Sequence, residues 1–167
     1  VIGHEMSHGF DDQGCQFDKT GNQRNWWTGA DKANFDKRAK VLVESFGKFE
    51  VLPGVKVNGE LTLGENIGDN GGLNISFRAL QNSMKEHPLE VKDGFTPEQR
   101  FFLNWARVWA SNASPQVLDY LVKSDPHSPN EARVNPALSH IDAWYKAFNV
   151  KKGDKLFLPK NKRAHIW

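Results

Sequence analysis

Two histidines stand four residues apart near the start of the chain, in His4-Glu5-Met6-Ser7-His8. Residues at that spacing lie one above the other on an α-helix, so the pair predicts a helix with both imidazoles on one face. From that face both rings can reach one Zn²⁺ at about 2.0–2.1 Å. Glu5 falls about 100° around the helix from His4, where its carboxylate can act on a metal-bound water without being a ligand. The competing reading is coincidence, since two histidines and a glutamate in five residues also occur in helices that bind nothing.

Composition narrows what else the chain can be. Of 167 residues, 38% are apolar and 25% charged, which predicts one domain, or part of one, with a real core, and excludes intrinsic disorder. Lys and Arg number 22 against 20 Asp and Glu, a net charge of +2 that is too small for a nucleic-acid footprint. The most apolar window, Phe101 to Ala110, is interrupted by Asn104 and Arg107 and falls short of the roughly 20 residues that a membrane-spanning helix needs. Cys15 is the only cysteine, so an intrachain disulfide and a multi-thiolate zinc site are both excluded. Any metal must then be held mainly by histidine and carboxylate, and a lone thiol leaves the compartment open. Val1-Ile2-Gly3-His4 carries no initiator Met, basic region or apolar leader, and reads as a cut inside a longer protein.

Along the chain the pattern is helical. Val1 to Phe10 lacks an N-cap, and Asp11 to Trp27 reads as a loop. Thr28 caps a helix whose apolar positions are Phe35, Ala39, Leu42, Val43 and Phe46. Val55 to Leu61 alternates around Asn58-Gly59 and predicts a short hairpin, followed by a helix over Leu63 to Lys85. Thr96-Pro97 and Ser114-Pro115 open two more helices, Glu98 to Ser111 and Gln116 to Lys123. Asn135-Pro136 is expected to open a last helix carrying Leu138, Ile141, Trp144, Tyr145 and Phe148, with an irregular polar tail from Asn149.

A catalytic zinc site takes three protein ligands and keeps a fourth position for water, so a third donor must lie elsewhere. Cys15 is one candidate. Gly64-Glu65-Asn66-Ile67-Gly68-Asp69 is the better one, with Glu65 and Asp69 on one helix face. Glu65 could bind the metal while Asp69 accepts the N–H of a ligand histidine and fixes its tautomer. Thr62-Leu63-Gly64-Glu65 is equally a capping box, in which Glu65 would bond its own helix terminus.

Taken together, Val1-Ile2-Gly3-His4-Glu5, His8-Gly9-Phe10-Asp11-Asp12, Trp26-Trp27, Leu63-Gly64-Glu65-Asn66-Ile67, Asp69-Asn70-Gly71-Gly72-Leu73, Asp125, His127-Ser128-Pro129 and a terminal Trp167 resemble the neprilysin and endothelin-converting-enzyme family of zinc endopeptidases. The resemblance implies a mainly α fold with at most a short hairpin, the C-terminal part of a thermolysin-like (gluzincin) catalytic domain, as a single unit over residues 1–167 that is truncated at the zinc helix. It implies one Zn²⁺ per chain held by His4, His8 and Glu65, with Glu5 as general base and Asp69 as the carboxylate behind a ligand. His127 resembles the histidine that stabilises the oxyanion, Arg133 the arginine that holds a substrate carbonyl, and Val108-Trp109 part of the S1′ wall, with Val1 at its edge. Without the resemblance His127 and Arg133 would read as surface residues and Trp109 as core packing.

Ala164 stands where the animal enzymes carry a cysteine, which suits a bacterial member of the oligopeptidase O type. Gly68 stands where alanine is frequent, a change expected to act on helix packing more than on chemistry. The family's substrate-aligning strand lies upstream and is not in this sequence. The implied activity is hydrolysis of short peptides before a hydrophobic residue, with the missing N-terminal part of the same protein as partner. The resemblance favours the cell envelope, periplasm or outside of the cell, and leaves the cytoplasm open. The rival class is a non-catalytic zinc-binding fragment or peptide-binding module that needs the upstream part. A helical interaction module without metal would require every motif to be fortuitous.

Overall fold

The computed structural model describes residues 1–166. Through them run the α-helices α1 (Ile2–His8), α2 (Gly29–Phe46), α3 (Leu63–Glu86), α4 (Pro97–Val108), α5 (Pro115–Ser124), α6 (Asn130–Ser139) and α7 (Asp142–Phe148). Strands β1 (Glu50–Leu52) and β2 (Val55–Lys56) form one antiparallel pair. The architecture is mainly α, as expected.

Helix starts follow from local chemistry. The hydroxyls of Thr28, Thr96 and Ser114 accept the backbone N–H of Asp31, Gln99 and Val117. At Thr96 the cap is reciprocal, because Gln99 Oε1 accepts the Thr96 N–H at 3.0 Å. Pro97 and Pro115 occupy first-turn positions where a missing N–H leaves no bond unmade.

The long helix α3 joins two cores. Ile67 packs with Phe35, Leu42 and Phe46 of α2 and with Ala132 and Ala137 of α6. Further along, Leu73 and Phe77 pack with Phe102 of α4, Leu138 and Ile141. Each large side chain buried this way contributes about 1.5–3 kcal/mol. Helix α1 rests directly on α3 through glycines. A Cβ at Gly72 would lie 3.0 Å from the His4 backbone nitrogen, and one at Gly68 would lie 2.9 Å from Cε1 and Nδ1 of the His4 ring. Glycine inside a helix costs about 1 kcal/mol relative to alanine; here it lets α1 approach α3 closely. Gly68, expected to act on helix packing, lies against the imidazole itself.

Four local expectations are corrected. The hairpin turns at Pro53-Gly54 and not at Asn58-Gly59. Pro53 presets one central dihedral and Gly54 supplies a φ of 77°, the combination a two-residue turn requires. Asn58 instead opens one helical turn, its Oδ1 accepting the Leu61 N–H at 3.1 Å and its carbonyl the Thr62 N–H at 3.1 Å. Pro136 does not open a helix but lies inside α6, which begins after Pro129. The continuous helix expected from Asn135 onward is broken at Ile141, whose backbone is extended (φ −102°, ψ 104°). The break is held by the Tyr145 hydroxyl, which donates to the Ser139 carbonyl at 2.8 Å and so takes an acceptor that a continuous helix would use. The end of α4 at Val108 also falls short of the expected Ser111. The irregular tail returns to the first core, burying Ala164 and Ile166, and the Ala164 N–H donates to His140 Nδ1 at 2.9 Å.

Candidate metal centre

The helix pair α1 and α3 brings His4, His8 and Glu65 together. His4 Nε2 and His8 Nε2 are 3.1 Å apart. His4 Nε2 lies 3.2 Å from Glu65 Oε2, and His8 Nε2 lies 3.4 Å from Glu65 Oε1. Among the described residues this is the one group of three or more histidine, cysteine, aspartate or glutamate side chains whose donor atoms converge closely enough for a metal. The capping box that Glu65 could have formed is absent. Thr62 makes no side-chain cap bond; its hydroxyl donates to the Asn58 carbonyl at 2.9 Å, which leaves Glu65 to face the histidines.

The hydrogen bonds behind the imidazoles determine what the inner atoms can do. His4 Nδ1 meets Asp69 Oδ1 at 2.9 Å, and His8 Nδ1 meets Asp11 Oδ2 at 2.7 Å. In the neutral tautomer whose Nδ1–H donates to the carboxylate, each ring presents a lone pair at Nε2. Two such lone pairs and a carboxylate repel one another across about 3 Å unless a cation lies between them. Glu65 Oε2 is buried without a hydrogen-bond partner among the described residues. Ligands bound tetrahedrally at about 2.0–2.1 Å lie about 3.3 Å from each other, which matches these separations. The residues therefore fit Zn²⁺. The Asp69 hydrogen bond, opposed by burial, raises His4 above the ordinary imidazole range.

Asp11 completes this arrangement; it was quoted in the sequence motif but given no role. Its Oδ1 accepts the N–H groups of Gln13 and Gly14 at 2.9 and 2.7 Å, which holds Oδ2 on His8. Its position three residues after His8, where α1 ends, was the available signal.

Arg133, on α6, is buried. Its Nε and Nη2 donate to Asp69 Oδ2 and Oδ1, both at 2.7 Å, and Nη2 lies 3.6 Å from Glu65 Oε2. Its guanidinium sits 4.0 Å over the Trp109 ring, and its carbonyl accepts the Trp105 indole N–H at 2.9 Å. Trp109 thus flanks the site while also packing on Trp105.

His127 reaches the centre from the loop between α5 and α6. Its Nε2 lies 3.3 Å from Glu65 Oε1, with the side chain half exposed. Asp125 Oδ1 accepts both the His127 backbone N–H and Nδ1 at 2.8 Å. These bonds, the backbone one foremost, hold the Asp125 carboxyl below the usual carboxylate range. Asp125 was quoted in the motif but given no role.

Glu5, Val108 and Val1 are exposed, and the Glu5 carboxylate makes no hydrogen bond or ion pair among the described residues. Cys15 is buried and stays outside the cluster. A cavity of about 1100 Å³ opens on another face of α1 beside Met6, Phe10, Ile75 and Ala147, and none of His4, His8 and Glu65 lines it. No helix among the described residues is long and apolar enough to cross a membrane.

Two histidines one helical turn apart, a glutamate from a second helix and a carboxylate behind each imidazole form a candidate metal centre with the H-E-x-x-H pattern. The chain belongs to Peptidase family M13, whose sequence model matches residues 1–164. It is 40% identical over 171 residues to endothelin-converting enzyme 1 of Homo sapiens and 37% identical over 173 residues to neprilysin-1 of Caenorhabditis elegans. All of this chain is covered in both matches, but only 22% and 23% of those relatives, so it spans less than a quarter of their length. Among solved structures it resembles the zinc metalloprotease Zmp1 of Mycobacterium tuberculosis in complex with an inhibitor, with a TM-score of 0.95 and 43% identity over all of this chain and 26% of that one. PepO from Lactobacillus rhamnosis gives a TM-score of 0.86 at 38% identity, over 99% of this chain and 25% of that one.

Proposed function

We propose that this chain carries the catalytic centre of a zinc endopeptidase that hydrolyses short peptides before a hydrophobic residue. The observation that carries the reading is the convergence of His4 Nε2, His8 Nε2 and a Glu65 oxygen, with both Nδ1 atoms committed to carboxylates. Zn²⁺ held by these three residues would supply Lewis acidity and lower the pKa of a water molecule. Glu5, on the same helix, takes the proton from the attacking water and returns it to the leaving amine. His127, in the doubly protonated form that keeps Nδ1–H on Asp125 and leaves Nε2–H free, donates to the carbonyl oxygen as it gains charge, a contribution of about 3–4 kcal/mol for one good donor. Arg133 Nη1, which makes no hydrogen bond among the described residues, is available to a substrate carbonyl. Val108 and Trp109 offer the apolar surface for the residue after the cut.

The upstream part of the same protein is the proposed partner that aligns the substrate, and the family resemblance carries the further proposal of a place in the cell envelope or outside the cell. A second reading, a zinc-binding region that is inactive alone, is favoured by the short span of this chain against its relatives. Elemental analysis of the purified chain, run beside a quenched-peptide assay with and without chelator, tests both. One zinc per chain with chelator-sensitive cleavage supports the first reading; one zinc without cleavage supports the second. Absence of zinc overturns both.

A further inference from the structure

The segment Pro126-His127-Ser128-Pro129 is joined to α3 by a hydrogen bond that the proposed mechanism does not use. Ser128 Oγ donates to Asn66 Oδ1 at 2.8 Å, and Ser128 and Asn66 are both 2% exposed. Asn66 Nδ2 donates onward to Thr62 Oγ1 at 3.0 Å, and the Thr62 hydroxyl donates to the Asn58 carbonyl at 2.9 Å. Each donor in this chain therefore has an acceptor, and water is excluded from it. Asn66 directly follows Glu65, and Ser128 directly follows His127. The bond thus joins the neighbours of the two groups that face each other at 3.3 Å.

We infer that Ser128 is a positioning residue, which through Asn66 fixes the His127 backbone against α3 so that Nε2 stands beside Glu65. The inference rests on the peptidase reading, in which His127 serves the reacting carbonyl. Asp125 sets the rotation of the ring and the local turn of the backbone, since both of its bonds to His127 lie within the same loop. The Arg133–Asp69 pair ties α6 to α3 beyond the loop, and Ser128–Asn66 is the hydrogen bond that crosses to α3 from the residue next to His127 itself. A donor displaced by a few tenths of an ångström loses more on the transition-state oxyanion than on the ground-state substrate, so the effect falls on kcat and not on KM.

The test compares Ser128→Ala, His127→Ala and the double variant in the complete natural polypeptide that contains this chain, with Asn66→Ala as a second way to remove the bond. Ser128→Ala and Asn66→Ala are expected to keep one zinc, leave KM unchanged and lower kcat about tenfold. In the His127→Ala background, Ser128→Ala is expected to have no further effect. An equal loss in that background, a raised KM or a loss of zinc would show a general structural role and overturn the inference. A crystal structure of the zinc-loaded Ser128→Ala variant gives a readout independent of turnover. His127 Nε2 displaced from Glu65 supports positioning even if the peptidase reading fails through an inactive wild type, and an unchanged separation overturns it.

Discussion

Arg133 and Asp69 form a two-bond pair, Nε to Oδ2 and Nη2 to Oδ1, while the same Oδ1 also accepts from His4 Nδ1. One buried carboxylate therefore serves a permanent cation and an imidazole at once. Asp69→Ala removes both hydrogen bonds of the buried guanidinium and leaves only the Glu65 carboxylate at 3.6 Å as counter-charge, so a loss of folding stability near the lower end of about 3–5 kcal/mol is expected. Zinc affinity should fall about 10–100-fold as His4 loses its acceptor. Urea melts and a zinc competition titration measure the two effects; lost stability with unchanged affinity would show that Asp69 serves Arg133 alone.

Gly14 controls the other imidazole. A Cβ there would lie 1.8 Å from the His8 carbonyl oxygen, and the Gly14 N–H is one of the two that hold Asp11. Gly14→Ala must push the loop outward and carry Asp11 with it. The expected outcome is about 1–3 kcal/mol of destabilisation, the usual range for overpacking, with weaker zinc binding. Thermal melts with and without metal would separate the two, and unaltered values for both would refute the argument.

Glu5 and Glu65 should fail differently. Glu5→Gln is expected to retain zinc and lose at least about 100-fold in peptide hydrolysis, the lower range for a general base. Normal turnover would sink the assigned role. Glu65→Ala should lose zinc with unchanged helix content, because Thr62 makes no cap bond that Glu65 completes. Metal analysis and circular dichroism report on these two variants.

His140 gives the chain an acid sensitivity away from the metal. Burial, foremost, holds its pKa down to about 4 against an ordinary 6.5, and its neutral Nδ1 accepts the Ala164 N–H. The unfolded chain binds a proton near pH 6.5 and the folded chain only near 4, so the contribution is whole above 6.5 and is lost as pH falls towards 4. The shift corresponds to about 3 kcal/mol. Urea melts at pH 7 and 4.5 should show a larger loss for the wild type than for His140→Gln; equal losses would place the sensitivity elsewhere.

What could be read in advance was local. The spacing of His4 and His8 and the caps at Thr28, Thr96 and Ser114 depend on residues within one turn, so sequence order suffices for them. Glu65 needed the histidines to favour it over a cap, because that choice is made by contact between α1 and α3. Arg133 was expected to meet substrate, and its bond to Asp69, 64 residues away, has no local signal. The role of Asp11 was missed because it depends on a reversal of the chain at Gly14. Pro136 misled because a proline that can open a helix can also lie within one when neighbouring contacts hold the segment.

His4 and Glu65 are about sixty residues apart in sequence yet meet at 3.2 Å. An ion bound there acts as a cross-link between the first helix and the third, equivalent to closing a loop of that length. In chain-entropy terms such a closure is worth about 4 kcal/mol. A metal held there would also be the chain's tether, and stripping it would loosen the N-terminal helix along its seam with α3, where Gly3 and Ser7 are buried.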